Sequence, residues 1–139
     1  MIAGIVDIKD VQHIWHKVEP MLDRVCNRSQ GELLAKDYLP YIMDGDAQLW
    51  VAVDDGNILM TMVTQFIEYP QKKILRVTAI AGENFSELHK EFNDMFESFA
   101  LDNGCTALEL WGRKGWKKML PEWSSKYIVF TKDLTKRMH

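Results

Sequence analysis

The residues around Gly82 have the types and order that could bind an anion. The preceding stretch, 74–81, is a dense apolar run rich in β-branched residues, which predicts a strand. After Gly82-Glu83-Asn84, apolar residues recur every three or four positions from Phe85 to Phe99, which predicts a helix, and Asn84 with Glu87 has the spacing of a capping box. Free N–H groups and the helix dipole favour an anion at such a turn. Many strand–turn–helix units bind no ligand, so two interpretations stay open: an anion site, and a packed unit without a ligand.

Other reactive residues give weaker patterns. His13 and His16 could share a metal ion, but without a third ligand nearby the spacing favours a solvated pair. Cys26 and Cys105 each lack a partner at metal-ligand spacing, which indicates two small buried apolar residues of a reducing compartment. The segment 113–118 interleaves basic and aromatic residues, and it could contact nucleic acid or a phosphate, or form a short surface helix.

Three tryptophans, Trp111, Trp116 and Trp123, are expected to close one end of a sheet by packing, and secondarily to line a cleft. Met60 and Met62, two apart on a predicted strand, are interpreted as core-filling residues.

Composition limits the classes of protein that fit. The 139 residues are 47% hydrophobic, which predicts a single domain, 1–139, with a substantial core. The formal net charge of −3 argues against nucleic-acid binding. No apolar run approaches the length of a membrane span, so we expect a soluble, cytoplasmic protein with no membrane partner. The sequence shows no cluster of metal-ligating residues, so we also expect no metal site.

The elements that must position these residues follow from hydrophobic periodicity. The pattern predicts the order β-α-α-β-β-β-α-β-α-β, an α+β sandwich around a mostly antiparallel sheet. Asp55-Gly56 predicts a tight hairpin turn, and 74–111 is the one expected parallel crossover. The predicted strands are 2–8, 48–54, 58–69, 74–81, 106–111 and 126–134. A first helix, capped by Asp7 or Asp10, is predicted to carry apolar residues as far as Val25, and the other predicted helices are 32–43, 85–103 and 112–120.

This order, together with the segments WVAVDDGNILMTMVT and GCTALELWGRKGWKKML, resembles the GCN5-related N-acetyltransferase (GNAT) family over nearly the whole chain. The second segment also resembles small GNAT-like proteins of tailed phages and prophages, in which a strand ending in a WGR-GW turn is typical. The resemblance implies a GNAT-like three-layer sandwich, with a mostly antiparallel mixed sheet flanked by helices.

The resemblance also implies acetyl-CoA as cofactor. The main chain of Val77, Thr78 and Ala79 would pair with the pantetheine arm, and the N–H groups of Gly82, Glu83, Asn84, Phe85 and Ser86 would face the pyrophosphate. The pyrophosphate loop is degenerate, since the family usually has Gln or Arg, two spacers, Gly, a spacer and then Gly or Ala. The stretch 80–86 has one glycine, no Arg or Lys, and the carboxylate of Glu83 where a pyrophosphate should lie. We expect Gly82→Val to abolish CoA binding and leave the fold intact.

Acetyl transfer to an amine needs a base for the amine proton and an acid for the leaving thiolate. The candidate bases are Glu109, in mid-strand, and Glu68, near the end of the third meander strand. Glu109 either faces the cleft or is a paired carboxylate on the wet face of the sheet, and Glu68 is either a base or a strand-end charge. The family commonly has its acid, a Tyr, on the last short helix. That helix here carries Lys117 and Lys118, and the nearest Tyr is Tyr127.

Two functions fit the resemblance. The first is a GNAT-type N-acyltransferase that moves an acetyl group from acetyl-CoA to an unknown amine. The alternative is a phage GNAT-like protein without acetyl-CoA chemistry, which acts as a virion or host-interaction component and binds a phage or host protein. Either function would be compatible with a homodimer, and the sequence leaves the oligomeric state open. The location implied by a phage origin is the host cytoplasm or the virion.

Overall fold

A five-stranded mixed sheet runs through the structure and carries helices on both faces. The computed structural model describes residues 2–26, 33–82, 85–111, 120, 122–125 and 128–135, and for residues 85–91 it describes the helix backbone alone. The elements in chain order are β1 (Ile2–Ile5), α1 (Ile8–Cys26), α2 (Ala35–Met43), β2 (Gln48–Asp54), β3 (Asn57–Tyr69), β4 (Lys72–Gly82), α3 (Phe85–Asp102) and β5 (Ala107–Leu110). The strand order is β1-β2-β3-β4-β5, with antiparallel pairs throughout except for the parallel β4–β5 pair.

The starts of both N-terminal helices are set by carboxylates. Asp7 directly precedes α1 and accepts a hydrogen bond from the Lys9 amide at 3.1 Å, so β1 ends at Ile5 and is shorter than the predicted 2–8. Asp37, in the first turn of α2, accepts from the Leu34 amide at 2.8 Å, and α2 therefore begins later than the predicted residue 32. Both helices continue through their internal prolines, Pro20 and Pro40.

The predicted meander of β2, β3 and β4 is confirmed. Asp55 and Gly56 both have positive φ, 51° and 76°, which is the backbone twist that a two-residue hairpin requires. Tyr69 pairs with Lys72, so the chain reverses again within the two residues between them. This second reversal places β4 beside β3 for its whole length.

Side chains on the two faces of the sheet form two separate parts of the core. We call them the α1–α2 face and the α3 face, after the helices that cover them. The α1–α2 face buries Val11, Trp15, Val18, Leu22, Cys26, Ala35, Tyr38, Ile42, Ala47, Leu49, Val63 and Ala79. The α3 face buries Trp50, Ala52, Met60, Met62, Val77, Phe92 and Phe96, which confirms Met60 and Met62 as core residues.

The α+β fold class is confirmed, but the last predicted strand is wrong where the structure describes it. Residues 128–134 form no strand, and Ile128, Val129 and Phe130 are exposed. Their β-branched and aromatic composition favours a strand only where a neighbouring strand supplies a hydrogen-bonding edge, and no described strand pairs with them. The predicted helix 112–120 lies, apart from Leu120, outside the described residues.

Candidate functional site

The β4–β5 pair opens partway along β4. Its parallel register runs from Ile74 opposite Ala107 to Val77 opposite Leu110, where β5 ends. β4 continues for five more residues, from Thr78 to Gly82, and no other described strand pairs with this edge. These five residues therefore present main-chain donors and acceptors that the described sheet does not use. We call them the open β4 edge.

A β-bulge lies where the opening begins. Val77 pairs with Thr64 and Ala79 pairs with Val63, so Thr78 is an extra residue on β4 without a partner on β3. The Thr78 hydroxyl donates to the Val63 carbonyl at 3.1 Å, and the Tyr38 hydroxyl lies 3.5 Å from the Thr78 carbonyl, at the upper limit for a hydrogen bond. A bulge bends its strand and increases the local twist, and this bulge lies directly after the last β4–β5 pair.

The residues predicted to bind the cofactor are divided between β4 and the start of α3. Val77 is still within the register of β5, whereas Thr78 and Ala79 belong to the open β4 edge. Phe85 and Ser86 are the first residues of α3, so their amides belong to the helix N-terminus, where N–H groups have no partner within the helix. Glu83 and Asn84 lie outside the described residues.

Gly82 is required by packing against β3. Its φ is 152°, and a Cβ at this position would lie 2.5 Å from the Leu59 carbonyl oxygen and 2.8 Å from the Met60 Cα. Both neighbours are backbone atoms of the strand that pairs with Gly82, and they cannot move without disturbing that pair. The expectation that Gly82→Val leaves the fold intact is therefore wrong.

Glu109 is held by two hydrogen bonds to one oxygen. Arg76, its register partner on β4, donates from Nε to Oε1 at 2.6 Å, and the Trp111 indole N–H donates to the same oxygen at 2.7 Å. No described side chain donates to Oε2. Because its neighbours Leu108 and Leu110 pack on the α3 face, side-chain alternation directs Glu109 to the α1–α2 face. The structure thus places a paired carboxylate one residue before β5 ends.

Glu68 lies elsewhere. It pairs with Lys73 near the start of β4, and its carboxylate is 3.9 Å from the Lys73 ammonium. That ammonium lies 4.5 Å from the centre of the Phe66 ring, which stacks on Phe99 of α3. Glu68 is therefore on the α3 face, at the opposite end of β4 from the opening, and the two candidate bases do not meet. The candidate acid Tyr127 lies outside the described residues.

The sequence did not single out Arg76, which connects the polar residues beside the opening. In addition to its bond to Glu109, the Arg76 guanidinium lies 4.4 Å from the Trp111 ring centre and donates from Nη2 to the Tyr69 hydroxyl at 3.4 Å. The expected packing role of Trp111 is wrong, because 67% of this residue is exposed. An arginine inside an apolar strand was the available signal, but its partners depend on the strand register.

The remaining reactive residues lie apart from this opening or are buried. His13 and His16 are exposed on α1, and no three described His, Cys, Asp or Glu residues are placed to hold a metal ion. Cys26 and Cys105 are buried, as predicted, and burial raises the pKa of each thiol. Within the described part of the chain, no helix is both long and apolar enough to span a membrane.

The fold is similar to solved acetyltransferase structures. A predicted acetyltransferase from Clostridium acetobutylicum, crystallised with acetyl-CoA, matches with a TM-score of 0.71 and 14% identity over 99% of each chain. A ribosomal-protein-alanine N-acetyltransferase from Brucella melitensis biovar Abortus matches with a TM-score of 0.65 and 17% identity, over 94% of this chain and 100% of the other. A GNAT family acetyltransferase from Staphylococcus aureus matches with a TM-score of 0.65 and 15% identity, over 96% and 98%.

These similarities show that the chain has the GNAT fold. No protein-family model matches the sequence, and no curated protein matches it. At identities this low the fold is shared, and the chemistry has to be argued from the residues of the site.

Proposed function

We propose that this protein is a GNAT-type N-acetyltransferase that transfers the acetyl group of acetyl-CoA to an amine. The observation that carries the proposal is the open β4 edge, which begins at a bulge one residue beyond the last β4–β5 pair. A pantetheine arm carries two amides, and an exposed strand edge recognises such a chain by main-chain hydrogen bonds, as in strand addition. Thr78 and Ala79 are the residues of this edge that lie closest to Glu109.

The start of α3 suits the other end of acetyl-CoA. The amides of Phe85 and Ser86 are at a helix N-terminus that directly follows the open β4 edge. Free N–H groups and the helix dipole would stabilise a pyrophosphate there. Gly82, Glu83 and Asn84 complete the proposed turn, in which the Glu83 side chain has to point away from the phosphates. Bound acetyl-CoA would supply the acetyl group as a thioester.

Glu109 is the proposed base. Its Oε1 accepts from Arg76 and Trp111, which leaves Oε2 as the oxygen available to take a proton from an incoming amine. The amine nitrogen would bond to the thioester carbonyl carbon, the carbon–sulfur bond would break, and the CoA thiolate would leave. The amine proton goes to Glu109, and Tyr127 remains the proposed acid for the thiolate. Because Glu109 points to the α1–α2 face, the amine approaches from that side.

A second candidate is a GNAT-like protein without acetyl-CoA chemistry, acting as a virion or host-interaction component. Gly82 is the observation that favours it, since contact with β3 accounts for the one glycine of the turn without any ligand. The carboxylate of Glu83 in the same turn points in the same direction. In this candidate the partner is a phage or host protein, or a second copy of the chain.

Acetyl transfer tests the two candidates against each other. The protein is incubated with acetyl-CoA and a mixture of primary amines, and both free CoA thiol and acetylated amine are measured. Release of thiol with an equal amount of acetylated amine supports the acetyltransferase. If no amine is acetylated and acetyl-CoA causes no chemical-shift change in the amides of β4 and α3, the second candidate stands.

A further inference from the structure

Two exposed aromatic side chains contact one partly buried ion pair on the α1–α2 face. Tyr69 is 47% exposed and Trp111 is 67% exposed, and both contact the guanidinium of Arg76, which pairs with Glu109. The four residues come from the end of β3, the middle of β4, and β5 with the residue that follows it. We call them the Arg76 cluster.

The contacts hold both rings in place without burying them. The Trp111 ring is fixed at two points, by the Arg76 guanidinium against its face and by the Glu109 carboxylate at its N–H. The Tyr69 hydroxyl accepts a hydrogen bond from Arg76 Nη2, while 47% of the residue remains exposed to solvent. Large aromatic surfaces that stay exposed and ordered are typical of binding surfaces, because they contribute contact area at low entropic cost.

The charge of the cluster limits what can bind. Arg76 and Glu109 form a close ion pair and largely cancel each other. Gln65, the β3 register partner of Arg76, is neutral, and Lys72, which pairs with Tyr69, adds a positive charge. The described surface therefore lacks the excess negative charge that would attract a polyamine.

We propose that Tyr69 and Trp111 bind the acceptor, and that the acceptor is a monoamine carrying an aromatic or other flat apolar group. The inference rests on the proposed function, because it takes Glu109 as the point at which the amine nitrogen is placed. The flat group lies against the exposed Trp111 and Tyr69 rings, and the amine reaches Oε2 of Glu109. The exposed rings thereby set the substrate class, and Arg76 positions them relative to the base.

The test compares three amines that differ in the group attached to nitrogen: phenethylamine, spermidine and β-alanine. Their binding to the protein saturated with CoA is measured by NMR titration, independently of transfer, and acetylation is measured separately with acetyl-CoA. The variants Trp111→Leu and Tyr69→Leu keep an apolar side chain but remove the ring. Tyr41→Leu is the matched control, since Tyr41 on α2 is 48% exposed and lies outside the cluster.

The expected result is that phenethylamine binds about tenfold more tightly than spermidine or β-alanine, and that Trp111→Leu weakens its binding about fivefold. Tyr41→Leu should leave binding within about twofold of the wild-type value, as for a surface substitution away from any site. Equal binding of the three amines, no binding of any, or no effect of Trp111→Leu overturns the inference. If phenethylamine binds but is not acetylated, the aromatic binding surface is supported and the proposed acetyltransferase function is contradicted. If spermidine is acetylated efficiently, the acetyltransferase function is supported and the inferred preference for an aromatic monoamine is contradicted.

Discussion

Arg76 and Glu109 face each other across the parallel β4–β5 pair, with Arg76 Nε 2.6 Å from Glu109 Oε1, one residue before the two strands part. Both side chains are partly buried, so the pair is less screened than a fully exposed ion pair. The Trp111 indole shares the same oxygen. The result is a carboxylate of fixed orientation one residue before the pairing of β4 with β5 ends.

The role of Glu109 as base predicts a loss of turnover in Glu109→Gln. The amide keeps the shape of the side chain and an oxygen for Arg76, but it cannot take a proton, so the acetylation rate should fall about 100-fold or more. The dissociation constant for acetyl-CoA should stay within about twofold, because Glu109 is proposed to take a proton from the amine and not to contact the cofactor. Steady-state kinetics and calorimetry measure the two quantities.

Glu68→Gln is the control for this substitution. Glu68 forms a long ion pair at the strand end on the α3 face, and 75% of its side chain is exposed. Its replacement should leave the acetylation rate within about twofold of the wild-type value, because an exposed ion pair contributes little to stability. A Glu68→Gln variant that loses turnover while Glu109→Gln keeps it would reverse the assignment of the base.

The bulge at Thr78 should affect how tightly the open β4 edge binds acetyl-CoA. Thr78→Val has nearly the same shape but removes the hydroxyl that donates to the Val63 carbonyl, at a cost of about 1 kcal/mol for one hydrogen bond. We expect faster hydrogen exchange of the amides from 78 to 82 and about fivefold weaker acetyl-CoA binding. Tyr38→Phe, which removes the 3.5 Å contact to the Thr78 carbonyl, should have a smaller effect of the same sign.

The control for the bulge variants is Thr106→Val. Thr106 is exposed and precedes β5, outside the bulge. Unchanged exchange of the amides from 78 to 82 in Thr78→Val, or the same increase in Thr106→Val, would show that the bulge hydroxyl does not hold this edge.

Gly82→Ala should destabilise the fold even without any ligand. The new Cβ would meet the Leu59 carbonyl oxygen and the Met60 Cα, and the φ of 152° disfavours a side chain, so we expect a loss of about 3 kcal/mol. Gly45→Ala is matched for positive φ but faces open space, and it should cost only about 1 kcal/mol. Urea unfolding measures both. Equal losses in the two variants would show that β3 does not constrain Gly82.

Cys26 should make the fold less stable at alkaline pH. Burial, and then the charges of Asp23 and Asp37, raise the pKa of the Cys26 thiol above its ordinary value of 9.0. The folded state therefore holds this proton at a pH where the unfolded chain has lost it. The stabilising contribution is complete below pH 9.0 and is lost as the pH rises through the raised value. The free energy of unfolding should fall less between pH 8 and pH 10 in Cys26→Ala than in the wild type, and a fall of equal size would contradict this.

Most of the scaffold follows from local patterns in the sequence. Asp55-Gly56 predicts the β2–β3 hairpin because both residues tolerate positive φ, and the change from strand to helix periodicity at Gly82 predicts β4 and α3. The apolar run at 128–130 shows the limit of such patterns. Composition alone predicts a strand there, but a strand also needs a partner edge.

Less of the candidate site could be predicted from the sequence, because its contacts depend on the register in which β4 pairs with β3 and β5. Glu109 and Glu68 were both named as bases, but only the pairing of β4 with β5 and β3 shows that they lie on opposite faces. Arg76, 33 positions away from Glu109 along the chain, becomes its partner through the same register. The crowding at Gly82 likewise comes from β3 backbone that is distant in sequence, and this is why a glycine expected to serve a ligand also serves packing.

Calorimetric titration of the wild-type protein with acetyl-CoA, and in parallel with CoA, tests the central claim most directly. The open β4 edge and the start of α3 predict saturable one-to-one binding with a dissociation constant on the order of micromolar. Binding should be weakened in Thr78→Val and unchanged in Thr106→Val. No heat of binding at millimolar acetyl-CoA would contradict the account, and the protein would then be a GNAT scaffold that does not use this cofactor.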